Sequence, residues 1–186
     1  MSKNLPNILT VSRVALIPVM LIFFYLPFDW NRIAACAVFG IAGLTDFLDG
    51  YFARKHKTFS KFGAFLDPVA DKLTVTTALI ILLQDHNTIL MMIATAVIVG
   101  RELTISALRE WMADLGERTT VNVAFIGKLK TTFQMLAIGF LLFKNDLWGI
   151  PVFTIGLTLL YIATVLTLWS MFIYLRAAWP MMKEKI

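Results

Sequence analysis

The sequence predicts an all-α, polytopic membrane protein of six transmembrane helices with both termini in the cytoplasm. Three observations predict it. Of 186 residues, 59% are hydrophobic and 16% charged, and the mean hydropathy is +0.76, well to the apolar side of an ordinary soluble domain. The apolar residues gather in six long runs, and about 20 such residues carry a helix across a bilayer. The basic residues are divided unevenly between alternate connections, as the positive-inside rule requires.

The first span is read at 8–26. It continues without a small-residue cleavage site, so no cleaved leader is expected. The second, 33–53, is apolar until an acidic end, with Arg54 just beyond it; the third, 62–83, is acidic at its start. The fourth, 88–108, carries Arg101 and Glu102 inside it, and the fifth, 121–143, opens with Lys128 and Lys130. The sixth, 150–177, has no charge until Arg176 and holds Gly156 and several Ser and Thr residues suited to helix contacts. The connections 27–32, 84–87 and 144–149 contain Arg32 and Lys144 as their only basic residues. Apart from Lys72, the other Lys and Arg residues, Arg13 among them, fall at the N-terminus, at the even-numbered connections with their flanking helix ends, or at the C-terminus. Trp30, Trp148 and Trp179 fall at span ends, where amphipathic rings anchor a helix to the interface. Residues 1–186 are expected to form one domain, with no linker, repeat or soluble module. The single cysteine, Cys36, excludes an intramolecular disulfide. The net charge of +5 follows the membrane sidedness, and no nucleic-acid partner is expected.

Against this apolar background stand Asp46, Asp49, Asp67 and Asp71. Ionised carboxylates at membrane depth each cost several kcal/mol unless paired or bound to a cation. Residues three or four apart share a helix face, so Asp46, Asp49, Gly50 and Ala53 form one stripe and Gly63, Asp67 and Asp71 another. A short basic turn joins the two helices, which are expected to be antiparallel neighbours with both stripes near the cytoplasmic surface. One acid near a span end is ordinarily a solvated cap. Four on two matched faces make an oxygen cage suited to Mg2+ or Mn2+. The glycines leave room for a bulky ligand to approach the backbone.

The pattern D-x2-D-G-x2-A-R-x8-G-x3-D-x3-D is filled at every fixed position by Asp46, Asp49, Gly50, Ala53, Arg54, Gly63, Asp67 and Asp71. In this the chain resembles the CDP-alcohol phosphatidyltransferases, a family of polytopic phospholipid synthases. The stretches from Asn7 through Thr10 to Arg13, Gly100 to Glu102, Ser106 to Glu110 and Gly127 to Gln134 look like those of the bacterial members that make phosphatidylglycerophosphate. The resemblance implies transfer of a phosphatidyl group from CDP-diacylglycerol to sn-glycerol 3-phosphate, with release of CMP. It implies a homodimer in the bacterial cytoplasmic (inner) membrane, with its active site facing the cytoplasm. It also implies Asp71 as the base of a direct displacement, and Asp46, Asp49 and Asp67, with Asp71 beside them, as ligands of one or two Mg2+ or Mn2+ ions. CDP-diacylglycerol is then expected over Asp46, Asp49, Gly50, Ala53, Arg54 and Gly63, with Asn7 and Thr10 at the entry of the first span.

The acceptor is read from the cations. Glycerol 3-phosphate brings a dianion, which guanidinium groups bind through paired donors and ammonium groups as point charges. Arg101 and Arg109 are eight residues apart, within about 80° of each other on a helix, and Lys128 enters from the same side. These three are the expected acceptor-phosphate ligands, although each alone also fits an anchoring role. His56 and His86 sit in predicted turns on opposite sides of the membrane, and no Ser or Cys nucleophile with an adjacent base is evident. A sister enzyme acting on serine, inositol or inositol phosphate would share the signature. A prenyltransferase would lack the glycine and Ala-Arg spacing. A divalent-cation transporter would need polar residues deep in several spans, and the outer halves here are apolar.

Overall fold

The computed structural model describes residues 5–56, 61–114 and 124–185. Among them are six helices and no strand: α1 (Leu5–Tyr25), α2 (Asn31–His56), α3 (Lys61–Asp85), α4 (Ile89–Asp114), α5 (Ala124–Phe143) and α6 (Val152–Lys185). The six predicted spans each fall on one of these helices. The shortest has 20 residues, about 30 Å at 1.5 Å per residue, the thickness of the hydrocarbon layer. Three helices hold stretches long and apolar enough to cross a membrane, Asn31–Leu48, Ile89–Ala113 and Val152–Trp179, and α1 and α5 hold shorter apolar stretches. The protein is an all-α, polytopic membrane protein. Trp30, Trp148 and Trp179 are all exposed, as interfacial anchors should be.

The helices pack around a core that includes Met20, Phe39, Leu79, Leu82, Ile98, Ile138 and Leu160. Lipid tails are as apolar as these side chains, so close backbone approach rather than the hydrophobic effect must hold the bundle. Ala35, Ala78, Ala137 and Ala163 are fully buried and permit it. The closest case is α5 on α6. A Cβ on Gly156 would lie 3.0 Å from Leu141 Cγ and 3.1 Å from both the Leu141 nitrogen and Phe140 Cβ. Backbone cannot swing aside as a side chain can, so Gly156→Leu is expected to destabilise the bundle by about 1–3 kcal/mol. Gly40, where a Cβ would meet nothing within 4 Å, is the control. Thermal unfolding in detergent should show a large loss for Gly156→Leu and little change for Gly40→Ala.

One expected adjacency is different. The two acidic helices α2 and α3 touch only slightly, while α1 packs against both. Two stripes of like charge repel when pressed face to face, and α1 brings a cation between them.

At the far end of the bundle, Asp85 accepts hydrogen bonds from Arg32 and from Lys144, whose Nζ lies 3.0 Å away. The only two basic residues of the odd-numbered connections therefore clasp α2, α3 and α5 together. Lys144 takes φ 60° at the end of α5, the left-handed cap conformation usually given to glycine. Asp85 lies beyond the predicted third span. Burial raises its pKa, but Arg32 and Lys144 outweigh burial and hold the carboxyl below its ordinary value. A folded-state pKa below the unfolded one contributes stability above the unfolded value of about 4, and that stability is lost as pH falls through the folded value. Asp85→Asn is therefore expected to melt below wild type at pH 7 and to lose less stability on further acidification. Melting curves at neutral pH and below about pH 4 check both halves.

Candidate active site

The site is built on α1, α2 and α3. Asp46 lies on α2, with Asp67 and Asp71 one turn apart on α3. All three carboxylates are roughly half exposed, whereas Arg13, on α1, is 1% exposed. Its Nη1 lies 2.9 Å from Asp46 Oδ1, 2.9 Å from Asp67 Oδ1 and 3.9 Å from Asp71 Oδ1. One buried guanidinium nitrogen thus gathers oxygens from two helices into one cluster open to solvent. Thr10 is buried on α1 one turn before Arg13. From the sequence, Arg13 stands among the cytoplasmic cations and closes the Asn7–Arg13 stretch, with no role of its own; in the structure it is the floor of the acidic site. Its signal was a charge set within an apolar span, which by default marks a functional position.

The donor set fits a divalent cation in its chemistry. Carboxylate oxygens are the hard ligands that Mg2+ and Mn2+ prefer, and three of them here already surround a positive charge. Among the described residues no three such side chains close into a metal cage; Asp46 and Asp67 share the Arg13 Nη1 instead. Asp49, the fourth aspartate, sits three residues beyond Asp46 on α2. Its side chain lies outside the described residues, as do those of Asn7, Ala53, Arg54 and Lys128 and the surroundings of Gly50 and Gly63.

A second polar cluster adjoins the first. Glu102 on α4 pairs with Lys130 on α5, and Arg101 Nη1 lies 3.2 Å from Glu102 Oε1. Arg101 also donates to Ser170 Oγ on α6 at 3.3 Å, and Lys72 donates to Ser106. Arg101 and Arg109 both lie near enough to Lys130, and Lys72 near enough to Glu102, for their charges to be felt. Three cations, Lys130, Arg101 and Lys72, therefore bear on one carboxylate, with Arg109 beside Lys130, leaving an excess of positive charge. Arg109 places its Cζ 5.3 Å from the centre of the Tyr174 ring, a cation–π distance. The expected pair of arginines is thus held in one basic region, by different partners. Lys72 and Lys130 join them there; from the sequence, Lys130 opens the fifth span beside Lys128 without being an expected phosphate ligand, and Lys72 has no role.

Between the two clusters lies a cavity of ≈ 190 Å³, whose lining includes Asp71, Lys72, Glu102, Thr131 and Gln134. A second, apolar groove of ≈ 430 Å³ runs between α2 and α5 past Gly40, Gly43 and Gly139, reaching one turn from Asp46. The arrangement offers a negative patch for a cation, a small polar chamber beside it lined by Asp71, Lys72 and Glu102, and an apolar groove between α2 and α5. His86, on the far side of the molecule, packs edge-on against Phe153 with ring centres 5.0 Å apart, remote from this chemistry.

The chain is similar over nearly its whole length to known proteins. Residues 3–169 match the family model described as CDP-alcohol phosphatidyltransferase. A CDP-diacylglycerol–glycerol-3-phosphate 3-phosphatidyltransferase of Pseudomonas fluorescens is 50% identical over 185 residues, covering 97% of this chain and 92% of its own. Proteins of the same name from Escherichia coli (strain K12) and Shigella flexneri are each 46% identical over 178 residues, covering 96% of both chains. With its signature aspartates gathered on α2 and α3 and its length matched almost throughout, the chain belongs to the CDP-alcohol phosphatidyltransferase family.

Proposed function

We propose that the protein transfers the phosphatidyl group of CDP-diacylglycerol to sn-glycerol 3-phosphate, giving phosphatidylglycerophosphate and CMP. The observation that carries this reading is the meeting of Asp46, Asp67 and Asp71 beside a polar cavity that Asp71 itself lines. The names of the near-full-length relatives support the choice of substrates. The nucleotide lies over the ends of α2 and α3, where Asp49, Gly50, Ala53, Arg54 and Gly63 complete the signature, with Asn7 and Thr10 at its edge. Its acyl chains follow the apolar groove past Gly43 into the bilayer.

The family is generally metal-dependent, and Asp46, Asp49, Asp67 and Asp71 are the residues that would hold one or two Mg2+ or Mn2+ ions. When bound, such ions neutralise the pyrophosphate and polarise its phosphorus. Arg13 holds Asp46 and Asp67 in place from below. Asp71, which faces both the acidic cluster and the cavity, accepts the proton of the acceptor's primary hydroxyl. That oxygen then forms its bond to the β-phosphorus as the bond to the CMP phosphate breaks, with no covalent enzyme intermediate. Arg101, Arg109 and Lys128 hold the acceptor phosphate, and the excess positive charge around Glu102 supports that assignment. Both chain ends and the site face the cytoplasm of a bacterium whose inner membrane holds the protein as a homodimer.

CMP release by purified protein should require added glycerol 3-phosphate, stop with EDTA and return with excess Mg2+. Release without any acceptor, or release indifferent to EDTA, would contradict the reading.

A further inference from the structure

We propose that Gln134 reads the secondary hydroxyl of the acceptor and so makes the enzyme specific for a vicinal diol phosphate. The inference rests on the cavity beside Asp71 being the acceptor site. Gln134, on α5, is 4% exposed, and its Oε1 is buried with no hydrogen-bond partner. Buried polar atoms are nearly always paired, and the exceptions mark a ligand, a water or a strained site. Gln134 lines the same cavity as Asp71. Three other polar groups on that wall are engaged: Lys72 by Ser106, Glu102 by Lys130 and Arg101, and Thr131 Oγ1 by the Gly127 carbonyl at 2.9 Å.

Glycerol 3-phosphate presents three things to such a chamber. Its primary hydroxyl must meet the base, Asp71. Its phosphate must meet the cations of α4 and α5. What remains is the secondary hydroxyl, which both donates and accepts, and a carboxamide offers both functions. Filling that position satisfies the unpaired oxygen, and a substrate without the hydroxyl leaves it unpaired. A site of that kind rejects the deoxy analogue far more strongly than a site of shape alone rejects a missing methylene.

The test compares glycerol 3-phosphate with 3-hydroxypropyl phosphate, which keeps the phosphate and the attacking primary hydroxyl and lacks only the secondary one. Wild type is expected to favour glycerol 3-phosphate by on the order of 10²-fold or more in kcat/KM. In Gln134→Met, nearly isosteric and apolar, that preference should fall to within a few-fold, with the analogue turned over about as well as by wild type. Gln134→Leu is the second variant, and the KM for CDP-diacylglycerol reports whether the rest of the site is intact. A merely structural glutamine would lower both substrates together and leave the ratio unchanged, which would overturn the proposal. So would a wild type that does not discriminate, whatever the variants do. Absence of turnover with glycerol 3-phosphate in wild type is a separate outcome, and overturns the acceptor reading itself.

Discussion

The Asp71→Asn protein is expected to fold, to bind CDP-diacylglycerol and to turn over about 10²–10⁴-fold more slowly than wild type, the usual contribution of a positioned general base. The fold should survive for local reasons. Asp71 is half exposed and stands 3.9 Å from Arg13, so its charge is the least engaged of the three described carboxylates. Arg13 keeps Asp46 and Asp67 at 2.9 Å each after the substitution. The amide has the shape of the acid and cannot accept the hydroxyl proton. Steady-state rates, with thermal melting and lipid-substrate binding measured alongside, separate these effects. Unchanged turnover would remove Asp71 from the base role. Lost substrate binding would instead make it a binding residue.

Arg13→Ala is expected to harm stability first and activity as a consequence. Removing one member of a fully buried ion pair costs about 3–5 kcal/mol. The aspartates here face water, which screens them, so a loss of about 1–3 kcal/mol is the better expectation. The deficit should be largest in EDTA and should shrink with Mg2+, because a divalent cation supplies the positive charge that the guanidinium provided. Melting temperatures of wild type and variant, each with EDTA and with Mg2+, test this directly. Equal melting of the two proteins in EDTA would show that Arg13 does not brace the acidic helices.

These two residues also show what could be read from the chain before its fold was known. The helices were legible because membrane-spanning runs announce themselves by length and apolarity. Their ends were less so: α4 runs on to Asp114 and α6 to Lys185, since a helix leaving the bilayer loses its apolar signature while keeping its hydrogen bonds. The aspartates were legible because acids in such a setting need a cause. Arg13 was not, because a cation near the cytoplasmic end of a span is what topology alone demands. Only packing shows that this one is buried against α2 and α3. Gln134 and Lys72 were harder still. A lone amide or amine acquires meaning from the cavity around it, and that cavity is assembled from α3, α4 and α5, segments dozens of residues apart. The expected pairing of α2 with α3 is looser for a related reason: among the described residues the two helices touch only slightly, and α1, which carries Arg13, packs against both.

The most direct test of the account is product analysis after purified protein is given CDP-diacylglycerol and Mg2+ with glycerol 3-phosphate, serine or inositol in separate reactions. Phosphatidylglycerophosphate and CMP formed with glycerol 3-phosphate alone is the result predicted by a base at Asp71 lining an acceptor chamber next to the basic cluster of α4 and α5. Equal or greater turnover with serine or inositol would contradict it, keeping the aspartate chemistry while removing the phosphate-binding role from Arg101, Arg109 and Lys128.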